Sequence, residues 1–231
     1  MRIARLHSWP QTPARAIALQ RALASRVRLR PPARLPRLLA GVDVAFPPDG
    51  GTVVAGVVLW DAQTGCVIEH QVARAPCPFP YVPGLLSFRE LPAVLRALRR
   101  LRSTPDAVLC DAQGLAHPRR LGLACHLGLW VNVPTVGCAK SRLIGEHVEP
   151  GPSRGSGAPL LLDGAPVGVV LRTRDGVRPL FVSPGHLCDI AWAERVTLLA
   201  AVRYRLPEPT RLAHQLVTRS RRLAGAALPR G

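Results

Sequence analysis

Residues 13–29 set Ala, Ile, Leu and Val among Gln, Ser and Arg at helical spacing, and Pro31, Pro32 and Pro36 end the pattern. Three apolar, β-like runs follow at 38–46, 52–60 and 66–73, separated by the turn signals PPDGG and DAQTG. Links that short predict an antiparallel meander. The stretch 76–84, PCPFPYVPG, holds too many prolines for either regular element, and 86–102 then reads as a helix with Pro92 in its early turns. Beyond it the pattern alternates: strand 107–111, helix 120–130, strand 134–139. Alternation of this kind points to parallel pairing beside the meander. The segment 151–159 reads as a flexible loop, 165–174 with 178–184 as a hairpin, and 189–204 as an amphipathic helix. A last short helix is expected over 205–217, with Thr210 as its N-cap. One domain over 1–218 follows, trailed by a mobile basic tail over 219–231.

Composition narrows the class. Lys and Arg total 31 against 14 acids, a net charge of +17, which favours polyanions through phosphate contact and counterion release. Nucleic acid is therefore the leading partner, although Lys140 is the only lysine and an arginine excess can equally reflect the base composition of a coding sequence. The six cysteines form no C-x-x-C pair and no Cys/His cluster, so they read as reduced core thiols rather than zinc ligands. The opening residues lack the apolar core of a signal peptide, and Arg punctuates every longer apolar stretch. A soluble, cytoplasmic monomer with no membrane association is expected.

Three acids carry the chemistry. Asp43 ends one apolar strand, Glu90 sits early in the basic helix, and Asp111 closes a second apolar strand. Singly, each reads as readily as a cap, a turn residue or an ion-pair partner. Jointly they point to a divalent cation on oxygen ligands and to a metal-dependent phosphodiesterase, because carboxylates so placed are costly without compensation. The order meander, helix, strand, helix, strand predicts an α/β chain of ribonuclease H-like type: a mixed sheet, three antiparallel strands plus parallel ones, flanked by helices. Topology alone leaves many nucleases and transposases open.

Three strings go further: GVDVAF around Asp43, PYVPGLLSFRE from 80 to 90, and DAQGLAHPRRLGLACHLG from 111 to 128. Together with 133–143, 183–193 and 205–214 they closely resemble the endonuclease V family of deoxyinosine-directed nucleases, over about residues 36–217. The resemblance implies hydrolysis of the second phosphodiester bond 3′ to an inosine, leaving 3′-hydroxyl and 5′-phosphate ends. It implies Asp43 and Asp111 as direct Mg²⁺ ligands, with Glu90 completing the cluster directly or through water. Mn²⁺ is an acceptable substitute on hard oxygens. His214 matches the family's active-site histidine, placed to orient an attacking water or the metal's outer ligands.

Tyr81, between Pro80 and Pro83, resembles the family's wedge, which fills the gap left by an extruded base. An ordinary Pro-rich loop is the competing reading of that segment. The extruded hypoxanthine would enter a pocket of Gly84, Leu86, Gly122 and Leu123, read by backbone groups. Lys140 is implied as a contact to the DNA backbone, His117 as a residue that positions the loop or the substrate, and Arg119 with Arg120 as phosphate anchors, where a solvated pair is the alternative. Asp189 reads as a further acid or as a helix N-cap. Ala112-Gln113-Gly114 departs from the Gly-His-Gly of many relatives, which puts the tightness of base recognition in question. Two alternatives to a DNA nuclease remain open from sequence: an inosine-specific endoribonuclease and a noncatalytic inosine-binding protein.

Overall fold

The computed structural model describes residues 1–226 apart from Arg2, Ala4, Asp49 and Gly50, with side chains as far as Arg221. Helix α1 (Pro13–Ala24) leads into β1 (Leu38–Ala45), β2 (Thr52–Asp61) and β3 (Cys66–Pro76), then α2 (Leu86–Arg99). Strand β4 (Ala107–Cys110), helix α3 (Leu123–Val131) and strand β5 (Thr135–Ala139) follow, then β6 (Gly157–Leu162), β7 (Ala165–Leu171) and β8 (Leu180–Pro184). Helices α4 (Ile190–Ala200) and α5 (Glu208–Ala226) close the chain. The predicted meander is present as β1 to β3, and its PPDGG turn includes two residues outside the described set. Part of the expected basic tail, 219–226, continues α5, and 227–231 lie outside the described residues.

The eight strands form one sheet in the order β3-β2-β1-β4-β5-β8-β7-β6, with β4 parallel to both β1 and β5 and all other pairs antiparallel. Both faces are covered, so the central strands are apolar in both directions. On one face Ala40, Val42, Val108 and Cys110 pack with Leu91, Val94 and Leu98 of α2 and with Leu127 of α3. On the other, Leu39, Leu109, Val136 and Cys138 pack with Trp192, Val196 and Ala200 of α4, and Leu212 of α5 abuts them. Among the six free cysteines only Cys66 is exposed. No helix among the described residues is long and apolar enough to cross a membrane.

Several boundaries differ from the expectations, among them α2, which stops at Arg99, α4, which stops at Ala200, and α5, which runs on to Ala226; four differences have a local cause. Helix α1 stops at Ala24 rather than 29, because the following backbone is used elsewhere: Arg28 N–H donates to His186 Nδ1 and the Arg28 carbonyl accepts from Leu187. Strand β6 replaces the second half of the loop expected at 151–159. It is an edge strand paired only with β7, so Pro159 sits there without breaking a ladder, and Asp163 (φ 52°) and Gly164 (φ 75°) form its tight hairpin turn. Helix α3 begins at Leu123 instead of 120, since Arg120 is left-handed (φ 50°) and the Gly122 N–H donates to the Gly114 carbonyl. Thr210 does not cap α5; the helix starts at Glu208 and the Thr210 hydroxyl donates to the Pro207 carbonyl from inside the first turn.

Helix α5 reaches its place because β1 and β2 bare their backbone to it. A Cβ on Gly41 would stand 2.0 Å from the Pro209 carbonyl carbon, and one on Gly56 would stand 2.7 Å from Val217 Cγ1. Gly41→Ala is therefore expected to destabilise the fold by about 3 kcal/mol or more through forced separation of α5 from β1. Gly65→Ala meets no neighbouring atom within 4 Å and carries only the cost of its φ of 69°, about 1–2 kcal/mol. Thermal melts of the two variants check the order; equal losses would show that α5 does not need the bare backbone.

Candidate active site

Strand register brings the first two acids together. Val42 on β1 pairs with Cys110 on β4 in parallel, so the residues that follow, Asp43 within β1 and Asp111 just past the end of β4, stand side by side. Neighbouring strands run about 4.8 Å apart. Gly41, Asp43 and Gly56 share the sheet face that α5 covers, and one turn past Pro209 the helix sets His214 over Asp43, with Nδ1 2.8 Å from Oδ2. Lys140, just past β5, places Nζ in close contact with Asp111 Oδ2. Its backbone is held in turn by Arg205, whose Nη2 donates to the Lys140 and Pro179 carbonyls. Glu90 approaches from the second turn of α2 on the opposite side of the sheet.

The three carboxyls feel one another. Burial, then the charges of Asp43 and Asp111, push the Glu90 carboxyl up to about 8. Burial also raises Asp43, with the His214 hydrogen bond opposing it and Asp111 adding to the rise. Among the described residues, no three His, Cys, Asp or Glu side chains already close around one point. One oxygen of Asp43 and one of Asp111 are instead turned onto His214 and Lys140. The donor set nonetheless fits a hard divalent cation: Asp43 and Asp111 stand side by side on parallel strands, and their charges, added to burial, hold the Glu90 carboxyl on α2 up to about 8.

A cavity of about 410 Å³ opens beside Asp111, inside the range typical of small-ligand pockets. It is lined by all four expected pocket residues, Gly84, Leu86, Gly122 and Leu123, and also by Tyr81, Pro83, His117 and Lys140. Tyr81 is 71% exposed at its mouth, with the Arg89 guanidinium 5.9 Å from its ring centre. Pro80 is exposed but outside the lining.

One carbonyl organises the cavity wall. Gly84 has φ 77°, a left-handed conformation suited to glycine, and its oxygen accepts from three donors: Gln20 Nε2 at 3.0 Å, His117 Nε2 at 2.9 Å and Arg119 Nη2 at 2.9 Å. The His117 ring is locked, because Nδ1 accepts the Arg119 backbone N–H at 3.2 Å while Nε2 donates to Gly84. Burial pulls its pKa down to about 4, so it stays neutral. His117 thus positions the loop, one of its two expected roles. The half-buried Arg119 guanidinium is tied to the cavity wall, Nη2 donating to the Gly84 carbonyl and Nε, at 2.5 Å, to Gln20 Oε1.

Asp189 caps α4, its Oδ1 accepting from Trp192 N–H at 2.7 Å, and joins no acid cluster. Gln113 is buried and bridges the Ser141 carbonyl and the Ser183 hydroxyl, so this departure from the Gly-His-Gly pattern is built into the packing. Gln20 was not legible as a site residue. Its one signal is a polar side chain in helical phase with the buried Ala16 and Leu23.

The endonuclease V family model matches residues 21–215. The chain belongs to the endonuclease V family. Endonuclease V of Azotobacter vinelandii is 54% identical over 211 residues, covering 91% of this chain and 96% of that protein. The crystal structure of endonuclease V from Streptomyces avermitilis superposes with a TM-score of 0.90 at 45% identity, covering 94% of this chain and 96% of that one. The fold is ribonuclease H-like, as the element order predicted. An endonuclease V from Ciona intestinalis, solved in complex with a 24mer DNA containing an inosine followed by a ribo-adenosine, shares the fold at 21% identity and a TM-score of 0.80, covering 91% of this chain and 98% of that one.

Membership of a nuclease family sets a sign for the Glu90 titration. A carboxyl whose folded pKa is raised contributes stability present below its unfolded value, near 4.5, and lost as pH climbs through about 8. In chelator, Glu90→Gln should therefore gain in melting temperature over the unaltered chain as pH rises from about 5 to about 8, and added divalent cation should narrow the gap at the upper end. A gap that ignores both pH and cation would remove Glu90 from the acidic cluster.

Proposed function

We propose that this chain is a Mg²⁺-dependent endonuclease of DNA repair that hydrolyses the second phosphodiester bond 3′ to deoxyinosine, leaving 3′-hydroxyl and 5′-phosphate ends. The observation that carries the reading is a shared wall: Asp111 and Lys140 line the same cavity as Gly84, Leu86, Gly122 and Leu123, so acids and pocket act on neighbouring parts of one strand. Asp43, Asp111 and Glu90 would hold the magnesium, with Mn²⁺ as a substitute. Bound there, it supplies the positive charge that polarises a phosphate and lowers the pKa of a water.

The remaining work falls to the protein. Tyr81, exposed on a segment stiffened by Pro80 and Pro83, is suited to occupy the gap in a duplex from which a base has been extruded. The pinned Gly84 loop offers a fixed backbone edge to the extruded purine. Lys140 is the residue to leave Asp111 for a phosphate oxygen when nucleic acid arrives, which frees the carboxylate for the cation. His214, hydrogen-bonded to Asp43, is placed to orient a water beside that carboxylate. The +17 net charge draws the polyanion to the site.

The test is incubation of purified protein with labelled DNA and RNA, each carrying a single inosine, with and without Mg²⁺. A Mg²⁺-dependent nick one nucleotide beyond the inosine in DNA is expected. Cleavage confined to RNA would favour an inosine-specific ribonuclease, and tight binding without any nick would favour a noncatalytic inosine-binding protein. Asp43→Ala and Asp111→Ala should each abolish cleavage while keeping most lesion binding; wild-type turnover in either would remove its assigned role. Tyr81→Ala should weaken engagement of duplex substrate about tenfold, the worth of one stacking contact, and affect single strands less. Equal loss on both strand forms would argue against a wedge.

A further inference from the structure

Ser87, the second residue of α2, lines the cavity while 2% exposed, and it ends a chain of imidazoles that runs to the surface. Its Oγ lies 3.0 Å from His126 Nδ1, and His126 Nε2 lies 2.7 Å from His7 Nε2. His7 Nδ1 lies 3.0 Å from the Ser8 carbonyl oxygen. The direction of every proton in this chain follows from that outer end. A carbonyl oxygen only accepts, so His7 Nδ1 carries hydrogen. Burial keeps His7 below its usual pKa, leaving the ring neutral and its Nε2 a lone pair. His126 Nε2 must then donate. His126 is fully buried, and that burial, aided by His7, drives its pKa to about 3, so it carries one proton only. Its Nδ1 is therefore an acceptor, and Ser87 donates its hydroxyl proton there. Toward the cavity, Ser87 Oγ retains lone pairs alone.

We propose that Ser87 is a specificity-determining residue that accepts a hydrogen bond from N1–H of a 6-oxopurine in the cavity, with His126 and His7 as positioning residues that hold its hydroxyl in the accepting state. Hypoxanthine bears hydrogen on N1, whereas adenine bears a lone pair there, so one fixed oxygen attracts the first and repels the second. Xanthine and guanine share N1–H; Ser87 sorts 6-oxopurines from 6-aminopurines and leaves the guanine 2-amino group to other atoms. The chain is rigidly built: the His7 ring meets Trp9 and Trp130 edge-on, each at 5.0 Å, and those two indoles stack at 5.4 Å. The inference rests on the proposed reading of the cavity as a base pocket.

The test measures binding and single-turnover cleavage of duplexes with deoxyinosine, deoxyxanthosine or deoxyadenosine at one position. Ser87→Ala should lose about 5- to 10-fold on deoxyinosine and deoxyxanthosine, the worth of one neutral hydrogen bond, and hold or gain on deoxyadenosine, whose N1 lone pair no longer meets an oxygen. His7→Phe keeps a ring against Trp9 and Trp130 but removes the acceptor for His126 Nε2–H. The His126 proton is then free to move to Nδ1 and the Ser87 hydroxyl to donate into the cavity. Preference for deoxyinosine over deoxyadenosine should fall by a similar factor, although position 7 touches no base; a packing role would lower all three substrates alike. Should Ser87→Ala melt too early to assay, His7→Phe alone decides. Equal losses on the three bases, or none, would overturn the proposal. An unaltered protein with no preference for deoxyinosine would instead overturn the function on which it rests.

Discussion

Parallel pairing of β1 with β4 is the constraint on which the site depends. It sets Asp43, within β1, beside Asp111, just past the end of β4, at the same height. Two like charges so fixed are unfavourable unless something positive stands between or beside them. The neighbourhood is arranged around that need: His214 comes in on α5, Lys140 on the end of β5, and Glu90 is held neutral on α2. On the proposed reading, a cation would take over the part that His214 and Lys140 play beside the two carboxylates, so the same electrostatic tension that costs stability would favour its binding.

The two sheet faces divide the labour. The face under α5 carries the acids' partner, and its close approach depends on glycines in β1 and β2. The face under α2 and α3 borders the cavity proposed as the base pocket. Chemistry and recognition therefore share the sheet edge without sharing side chains, apart from Asp111 and Lys140 at the boundary.

What the chain's sequence revealed was whatever depends on local period and on spacing. The meander, the alternation that follows it and the acids at strand ends were all legible, because turn signals and apolar runs are short-range. Strand β6 was hidden because Gly, Ser and Pro mark both loops and edge strands, and only the partner β7 tells them apart. Thr210 looked like a cap because its side chain can accept, yet Pro209 already continues the helix before it. The ties of Arg119 to Gln20 and Gly84 were hidden because they span 99 and 35 residues, distances no local pattern records. Gln20 was silent for the same reason.

The tripod on the Gly84 oxygen has a consequence for how such a pocket changes over time. One leg comes from α1, a helix outside the sheet, and two come from the loop before α3. On the proposed reading, the shape of the base cradle is open to change from two separate elements; lengthening or removing a single leg would suffice. A preference for one purine over another could then drift through Gln20, His117 or Arg119 while the carboxylates proposed to hold the cation stay untouched.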